Sequence, residues 1–359
     1  MKKAVFLVII ILMFSTMLVS QTYVYGPDEL RLLPDSVTHL GISFEAKYED
    51  FNTKVYNQIE SVEFTRNFKN SKVFAFTPNL KRVLIAGGQI DCFDWEDLPS
   101  KVTSLQLGNV PRNMENFKSS LPTNLKTLHL GGKWKTEQIT SLLSSNNNLE
   151  ILTIEGARLK DFILESSTLR YLGLVKLNLS KITFKDVNSL STLFIDECKL
   201  LDMNMVDEML KLQEIVIQST KFNQLVQIEK LPQLEELTIR NSMAKSKHVV
   251  ISSNSLLKLI LTNIHPTSIA VNAPALRQID VSENGQITLS GLKSISNQLT
   301  HFYAYETTLK NVSLVEYSFQ SLGFFGGLEN INRKTLPKDF IEYSCSTCTG
   351  TLRRVPNDW

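Results

Sequence analysis

Cysteine and histidine are scarce in this 359-residue chain, four and five respectively, and neither set is spaced for chemistry. His39, His129, His248, His265 and His301 stand at no helical ligand spacing and beside no nucleophile. The GxSxG, P-loop, GxGxxG and HExxH patterns are absent, so an enzyme, a resident cofactor and a metal centre are not expected. Charge of one sign is lacking too: without Lys2 and Lys3 the chain holds 36 Lys and Arg against 36 Asp and Glu. No basic stripe stands out, which argues against nucleic acid as a partner. Long hydrophobic runs are missing except at the start, where MKKAVFLVIIILMFSTMLVS reads as a secretory signal peptide over residues 1–20, cleaved after Ser20. An uncleaved anchor is the competing reading, although the run is short for a span. No other segment could cross a bilayer, and GTLRRVPNDW at the end carries no lipidation signal. The expected location is therefore secreted, or at the cell surface by association. Linkers and low-complexity tracts are also absent; the loosest stretch is NSMAKSKHVVISSNS, residues 241–255.

What the chain has in abundance is one pattern. LPDSVTHLGIS from Leu33, LPSKVTSLQLG from Leu98 and LPTNLKTLHLGG from Leu121 say nearly the same thing. Aligned on their apolar residues they share the spacing LxxLxL, as at Val37/Leu40/Ile42, Val102/Leu105/Leu107 and Leu125/Leu128/Leu130. The register continues through Leu169/Leu172/Leu174 and Leu190/Leu193/Ile195 to Phe319/Leu322/Phe324 and Phe340/Tyr343/Cys345, fifteen copies at steps of 20 to 24 residues. In an extended segment alternate side chains share a face, so the fourth and sixth positions point inward and the third, fifth and seventh outward. Leu-Pro before a strand suits the bend that leads into it, since proline supplies no ladder donor. One such unit buries too few apolar side chains to offset ordering some twenty residues, so units must stack on one another. The expected layout is a lead-in at 21–36, a repeat domain at 37–350 and a tail at 351–359.

These residues resemble the leucine-rich repeat superfamily, and the Leu-Pro-x-x-Val-Thr-x-Leu turns resemble its short FNIP-type units. Phe51-Asn52 and Phe222-Asn223 resemble the first half of that signature. The resemblance implies an α/β solenoid: a right-handed, curved horseshoe with a concave parallel β-sheet of about 15 strands, its convex side mostly irregular. Short helices are expected only in places, such as TEQITSLLSS from Thr136 and MVDEMLKL from Met205. The ninth position holds Ala157, Leu177, Cys198, Thr220, Ser242, Asn284 and Thr307, so a continuous asparagine ladder is not assumed. No paired-cysteine cap brackets the array, and a thinly covered end leaves a possible homodimer seam.

Cys92 and Cys198 fall five units apart, about 24 Å at one strand spacing per unit, and cannot pair. Cys198 at a ninth position reads as a structural thiol. Cys345 and Cys348, in CSTCTG, read as buried thiols or a local disulfide, with a metal or redox pair as the alternative. His39 and His129 both point outward but four units apart, about 19 Å, so they share no metal.

The outward columns are then the place to look for function. His301, Tyr303, Tyr305, Phe325 and Asp280 gather near one end, and Tyr171 with Phe194 form a second patch. Exposed aromatics of this density suit an interface, although cross-strand stacking of aromatics also steadies a sheet by itself. Asn178 and Asn311 open the sequons Asn-Leu-Ser and Asn-Val-Ser. The expectation is a non-enzymatic recognition protein with a protein or glycan ligand, protein being preferred because a flat sheet offers no enclosed pocket. A matrix or coat component joined through solenoid ends, and an intracellular adaptor, are the alternatives.

Overall fold

The computed structural model describes residues 21–310, apart from 52–53, 114–120, 145, 147, 201–208, 223–227, 245, 293–294 and 296–297, and beyond them the strands at 321–325, 341–344 and 351–354. The chain packs as two units, residues 1–132 and 133–359. In the first, the strands Thr22–Val24, His39–Ile42, Ser61–Phe64, Arg82–Ile85, Ser104–Leu107 and Thr127–Gly131 lie side by side in chain order, all parallel. Leu40, Val62, Val83, Leu105 and Leu128 stand in one register column, and Ile42, Phe64, Ile85, Leu107 and Leu130 in the next. Every one is buried, so the LxxLxL spacing marks the inward side. The lead-in contributes more than expected: Val24 pairs with Ile42 and is buried in the same column. Aromatic rings fill the interior behind this sheet. Phe68 stacks on Phe74 with centroids 5.6 Å apart, and Phe93 meets Trp95 edge-on at 5.0 Å.

The second unit repeats the plan with nine parallel strands: Ile151–Glu155, Tyr171–Val175, Thr192–Asp196, Glu214–Gln218, Glu236–Arg240, Lys258–Thr262, Gln278–Asp280, His301–Tyr305 and Ser321–Phe325. Leu152, Leu172, Leu193, Ile215 and Ile279 are fully buried. Helices are few; the expected one forms at Thr136–Leu143, and the one expected from Met205 falls at residues outside the described set. The return side of the coil adds order of its own. Phe162–Glu165 pairs with Ile182–Lys185, and His248–Ser252, Ser268–Asn272, Gly285–Ser290 and Thr307–Lys310 form a second parallel sheet. The stretch that looked loosest thus contains a strand, because HVVIS alternates: Val249 and Ile251 are buried while Val250 faces out. The fifteenth triplet behaves differently. Ile341–Ser344 pairs antiparallel with Thr351–Arg354, so a hairpin between near neighbours in sequence stands where a further parallel rung was expected, and the tail supplies its second strand.

Each repeat enters and leaves its strand by the same two bends. On entry the first apolar residue donates its N–H to a carbonyl three residues back: Val37 to Pro34, Val102 to Pro99 and Leu125 to Pro122 at 2.9–3.1 Å. Leu212 to Met209 and Leu276 to Ala273 close the same turn without proline, so proline favours the bend but is not required for it. On exit, the eighth position takes a left-handed conformation in repeat after repeat: Gly132 and Gly156, then Lys176, Glu197, Ser219, Asn241, Asn263, Glu283 and Glu306, with φ from 48° to 94°. Seven of these carry a side chain in a conformation that costs an L-residue about 1–2 kcal/mol.

The ninth position compensates by binding the next turn. Leu177 N–H donates to Cys198 Sγ (3.3 Å), Cys198 N–H to Thr220 Oγ1 (3.2 Å) and Thr220 N–H to Ser242 Oγ (3.2 Å). Further on, Ile264 N–H donates to Asn284 Oδ1 (2.9 Å) and Asn284 N–H to Thr307 Oγ1 (3.0 Å). A ladder exists after all, built from cysteine, threonine, serine and asparagine, because any short side chain with an acceptor can satisfy the buried amide of the repeat before it.

Candidate binding face

Within the second unit, the register lays the outward residues in three rows. The first runs Tyr171, Thr192, Glu214, Glu236, Lys258, Gln278, His301. The middle row runs Thr153, Gly173, Phe194, Val216, Thr238, Ile260, Asp280, Tyr303, and the third Glu155, Val175, Asp196, Gln218, Arg240, Thr262. Phe194 and Tyr303, expected in separate patches, are therefore members of one row. Val216, Thr238, Ile260 and Asp280 stand between them, a mixed stretch that single-strand alternation does not reveal and that only the pairing register brings out.

At one end, His301, Tyr303 and Tyr305 point the same way from one strand, each half-buried. Tyr303 and Tyr305 stack with centroids 6.0 Å apart and planes 25° from parallel, and His301 lies 6.5 Å from Tyr303. The Thr300 hydroxyl holds His301 Nδ1 at 2.8 Å. Asp280, the register partner of Tyr303, has a bracing role: its Oδ1 accepts from the Ser282 amide (3.0 Å) and hydroxyl (2.5 Å), and Ser282 Oγ accepts the Tyr305 amide at 2.9 Å. Phe325 is paired with Tyr305 by backbone register, and its side chain lies outside the described residues.

The second patch is differently built from the expectation. Phe194 is 5% exposed, a covered ring and not an open anchor. Its register partner Gly173 explains the shape: a Cβ there would come within 3.0 Å of Thr153 and 3.3 Å of the Tyr171 ring, so these two side chains close over the glycine. Burial pushes the Tyr171 hydroxyl well above the usual phenol range, and the Glu214 carboxylate pushes it further. Asp196, in the third row of the same strand as Phe194, is 3% exposed, and its Oδ1 has no hydrogen-bond partner. Burial, then the charge of Glu197, raises its carboxyl to about 6.

No protein-family model matches the chain, and no curated protein does. Solved structures resemble it in part. An internalin of Listeria monocytogenes is 14% identical over 80% of this chain and 80% of its own, with a TM-score of 0.48. A leucine-rich-repeat protein of Leptospira interrogans is 14% identical over 85% of this chain and 94% of its own, with a TM-score of 0.43. Toll of Drosophila, in its complex with Spatzle, is 13% identical over 82% of this chain and 38% of its own, with a TM-score of 0.41.

The remaining expected residues separate cleanly. Asn178 is exposed just after the strand Tyr171–Val175, with its Oδ1 accepting from the Ser180 hydroxyl at 3.0 Å. Asn311, Cys345 and Cys348 lie outside the described residues. Cys198 is 2% exposed and donates from Sγ to the Leu174 carbonyl at 3.3 Å; burial pushes its thiol up to about 12. Cys92 is exposed. His129, at an outward position, is nonetheless buried, and His39 shares its Nδ1 with the Thr38 hydroxyl at 2.8 Å. Among the described residues no three of His, Cys, Asp and Glu are placed to hold a metal ion, and no helix is long and apolar enough to cross a membrane.

Proposed function

We propose that the protein is a secreted or cell-surface recognition protein that holds a protein or glycan ligand, protein being preferred, on the strand face of its second unit without catalysing a reaction. The observation that carries this reading is the stacked, half-buried set His301, Tyr303 and Tyr305 on one strand of that face. Aromatic side chains with one wet edge supply large contact area at small entropic cost, which is why interfaces favour them. Residues 1–20 act as the signal segment in this reading, Asn178 and Asn311 as glycan acceptors, and Cys345 with Cys348 as a local disulfide. The FNIP likeness of the Leu-Pro turns belongs to the same proposal.

Affinity capture with the mature chain, from the cells that make it, tests this. Tyr303→Ala with Tyr305→Ala is expected to abolish capture while the thermal midpoint stays in place; capture that survives the double substitution refutes the assignment. One observation favours self-association as a second reading. The outermost strand Thr22–Val24 has a single sheet neighbour among the described residues, and Tyr25 and Leu32 beside it are 69% and 81% exposed. A concentration-dependent mass that disappears on Leu32→Lys would support that reading.

A further inference from the structure

Charge around the stacked tyrosines has one sign. Across the strands Gln278–Asp280 and His301–Tyr305 and the bends that follow them, Asp280, Glu283 and Glu306 are present and no lysine or arginine is. Glu283 and Glu306 are exposed, and among the described residues none of the three acids is in an ion pair. The Glu283 amide donates to the Tyr305 carbonyl at 2.6 Å, and Glu306 is the next residue along the chain, so the backbone fixes both acids at the Tyr305 end of the stack. Asp280, opposite Tyr303, has one oxygen engaged by Ser282.

Cations stand farther off. Arg277 is at the entry end of the strands, where its carbonyl accepts the His301 amide at 3.0 Å; His301 and Tyr305 are four residues apart, about 13 Å along the strand. Arg240, in the third row, is three strands from the tyrosine strand, about 14 Å, which exceeds the reach of an exposed charge at physiological salt. Lys258 is paired with Glu236 at 2.9 Å, and Lys310 lies on the return strand, four residues beyond Glu306.

Two half-buried rings and an unmatched negative edge together select the chemistry of what can lie on them. An aromatic face attracts a cation, and a planar guanidinium can stack on tyrosine while its N–H groups point sideways at carboxylates. An ammonium has the charge without the plane, and a neutral side chain leaves the acidic edge unmatched.

We propose that Tyr303 and Tyr305 receive an arginine side chain from a segment of a protein partner, its guanidinium lying on the stacked rings with its N–H groups towards Glu283 and Glu306. The inference rests on reading the strand face as a binding surface, and it names what that face takes. The same charges set a polarity: the arginine sits at the exit end of the strand, away from Arg277.

The test uses the full chain and the capped residue N-acetyl-arginine amide, followed by saturation-transfer NMR at low salt near neutral pH, beside its lysine and citrulline counterparts. The arginine compound is expected to bind with a Kd on the order of millimolar and the lysine compound about fivefold more weakly. Citrulline, which keeps the shape and loses the charge, is expected not to bind. Glu283→Gln with Glu306→Gln, two exposed positions, is expected to weaken arginine binding about fivefold, and Tyr303→Ala with Tyr305→Ala to abolish it. Circular dichroism establishes that both variants fold. Equal binding by the lysine or citrulline compound, binding unchanged by the glutamine pair, or no binding by the arginine compound overturns the proposal. If the arginine compound fails while partner capture still depends on Tyr303 and Tyr305, the arginine is wrong and the recognition face stands. If it binds through the tyrosines while capture ignores them, the site stands and the recognition reading falls.

Discussion

Replacing Thr220 by valine isolates what the ninth-position ladder contributes. Thr220 is fully buried; its Oγ1 accepts the Cys198 amide at 3.2 Å and donates to the Gln218 carbonyl at 2.7 Å. Valine has nearly the same shape but neither function. The Gln218 carbonyl keeps the Glu197 amide at 3.1 Å, so it is not orphaned. The Cys198 amide is, and a buried donor left without a partner costs about 1–3 kcal/mol. Thr220→Ser retains the hydroxyl and loses one methyl group, worth about 0.8 kcal/mol. Urea denaturation followed by circular dichroism should therefore rank the variants wild type, then Thr220→Ser, then Thr220→Val. A valine variant within about 0.5 kcal/mol of wild type, or one no less stable than the serine variant, would refute the claim that this hydroxyl replaces asparagine in the ladder.

Three further outcomes follow from the geometry. At Gly87 a Cβ would press on the Thr65 carbonyl of the preceding repeat, so Gly87→Ala should destabilise by about 2 kcal/mol or more, read as a lower thermal midpoint. Asp196 has a folded carboxyl at about 6, above its ordinary value, so the folded state binds the proton more tightly and stability rises as pH falls from about 6 towards 4. Asp196→Asn should flatten that slope and raise stability near neutral pH by up to about 2 kcal/mol; an unchanged slope in denaturation curves across the window would contradict the assignment. A thiol reagent near pH 8, with peptide mapping by mass spectrometry, should label exposed Cys92 in the native chain and Cys198 only after unfolding, since its thiol stands at about 12.

The strands and the core could be read from sequence because LxxLxL reports a constraint that recurs at every step: two apolar side chains per strand must enter one interior. Leu128, Leu152 and Leu172, all fully buried, illustrate it. Less visible were features set by a neighbour in space. Alternation puts Phe194 outward, yet the glycine one strand away and the closure of Tyr171 over that glycine decide the surroundings. The return-side strands were missed because loops of varying length hide their register, although ITFK and HVVIS alternate plainly once aligned. The ladder was doubted because its residues differ in name; its chemistry is uniform in offering an acceptor. Asp280 was read by exposure and proximity, while Ser282, two residues on, binds its carboxylate.

The left-handed exit bends have an electrical consequence. They line up Lys176, Glu197, Ser219, Asn241, Asn263, Glu283 and Glu306 along a single rim, one per strand. Reading along it, the sign passes from mixed to neutral to wholly acidic. A diffusing positively charged molecule would thus feel a slope in potential before touching anything and arrive already turned, a bias that added electrolyte erases.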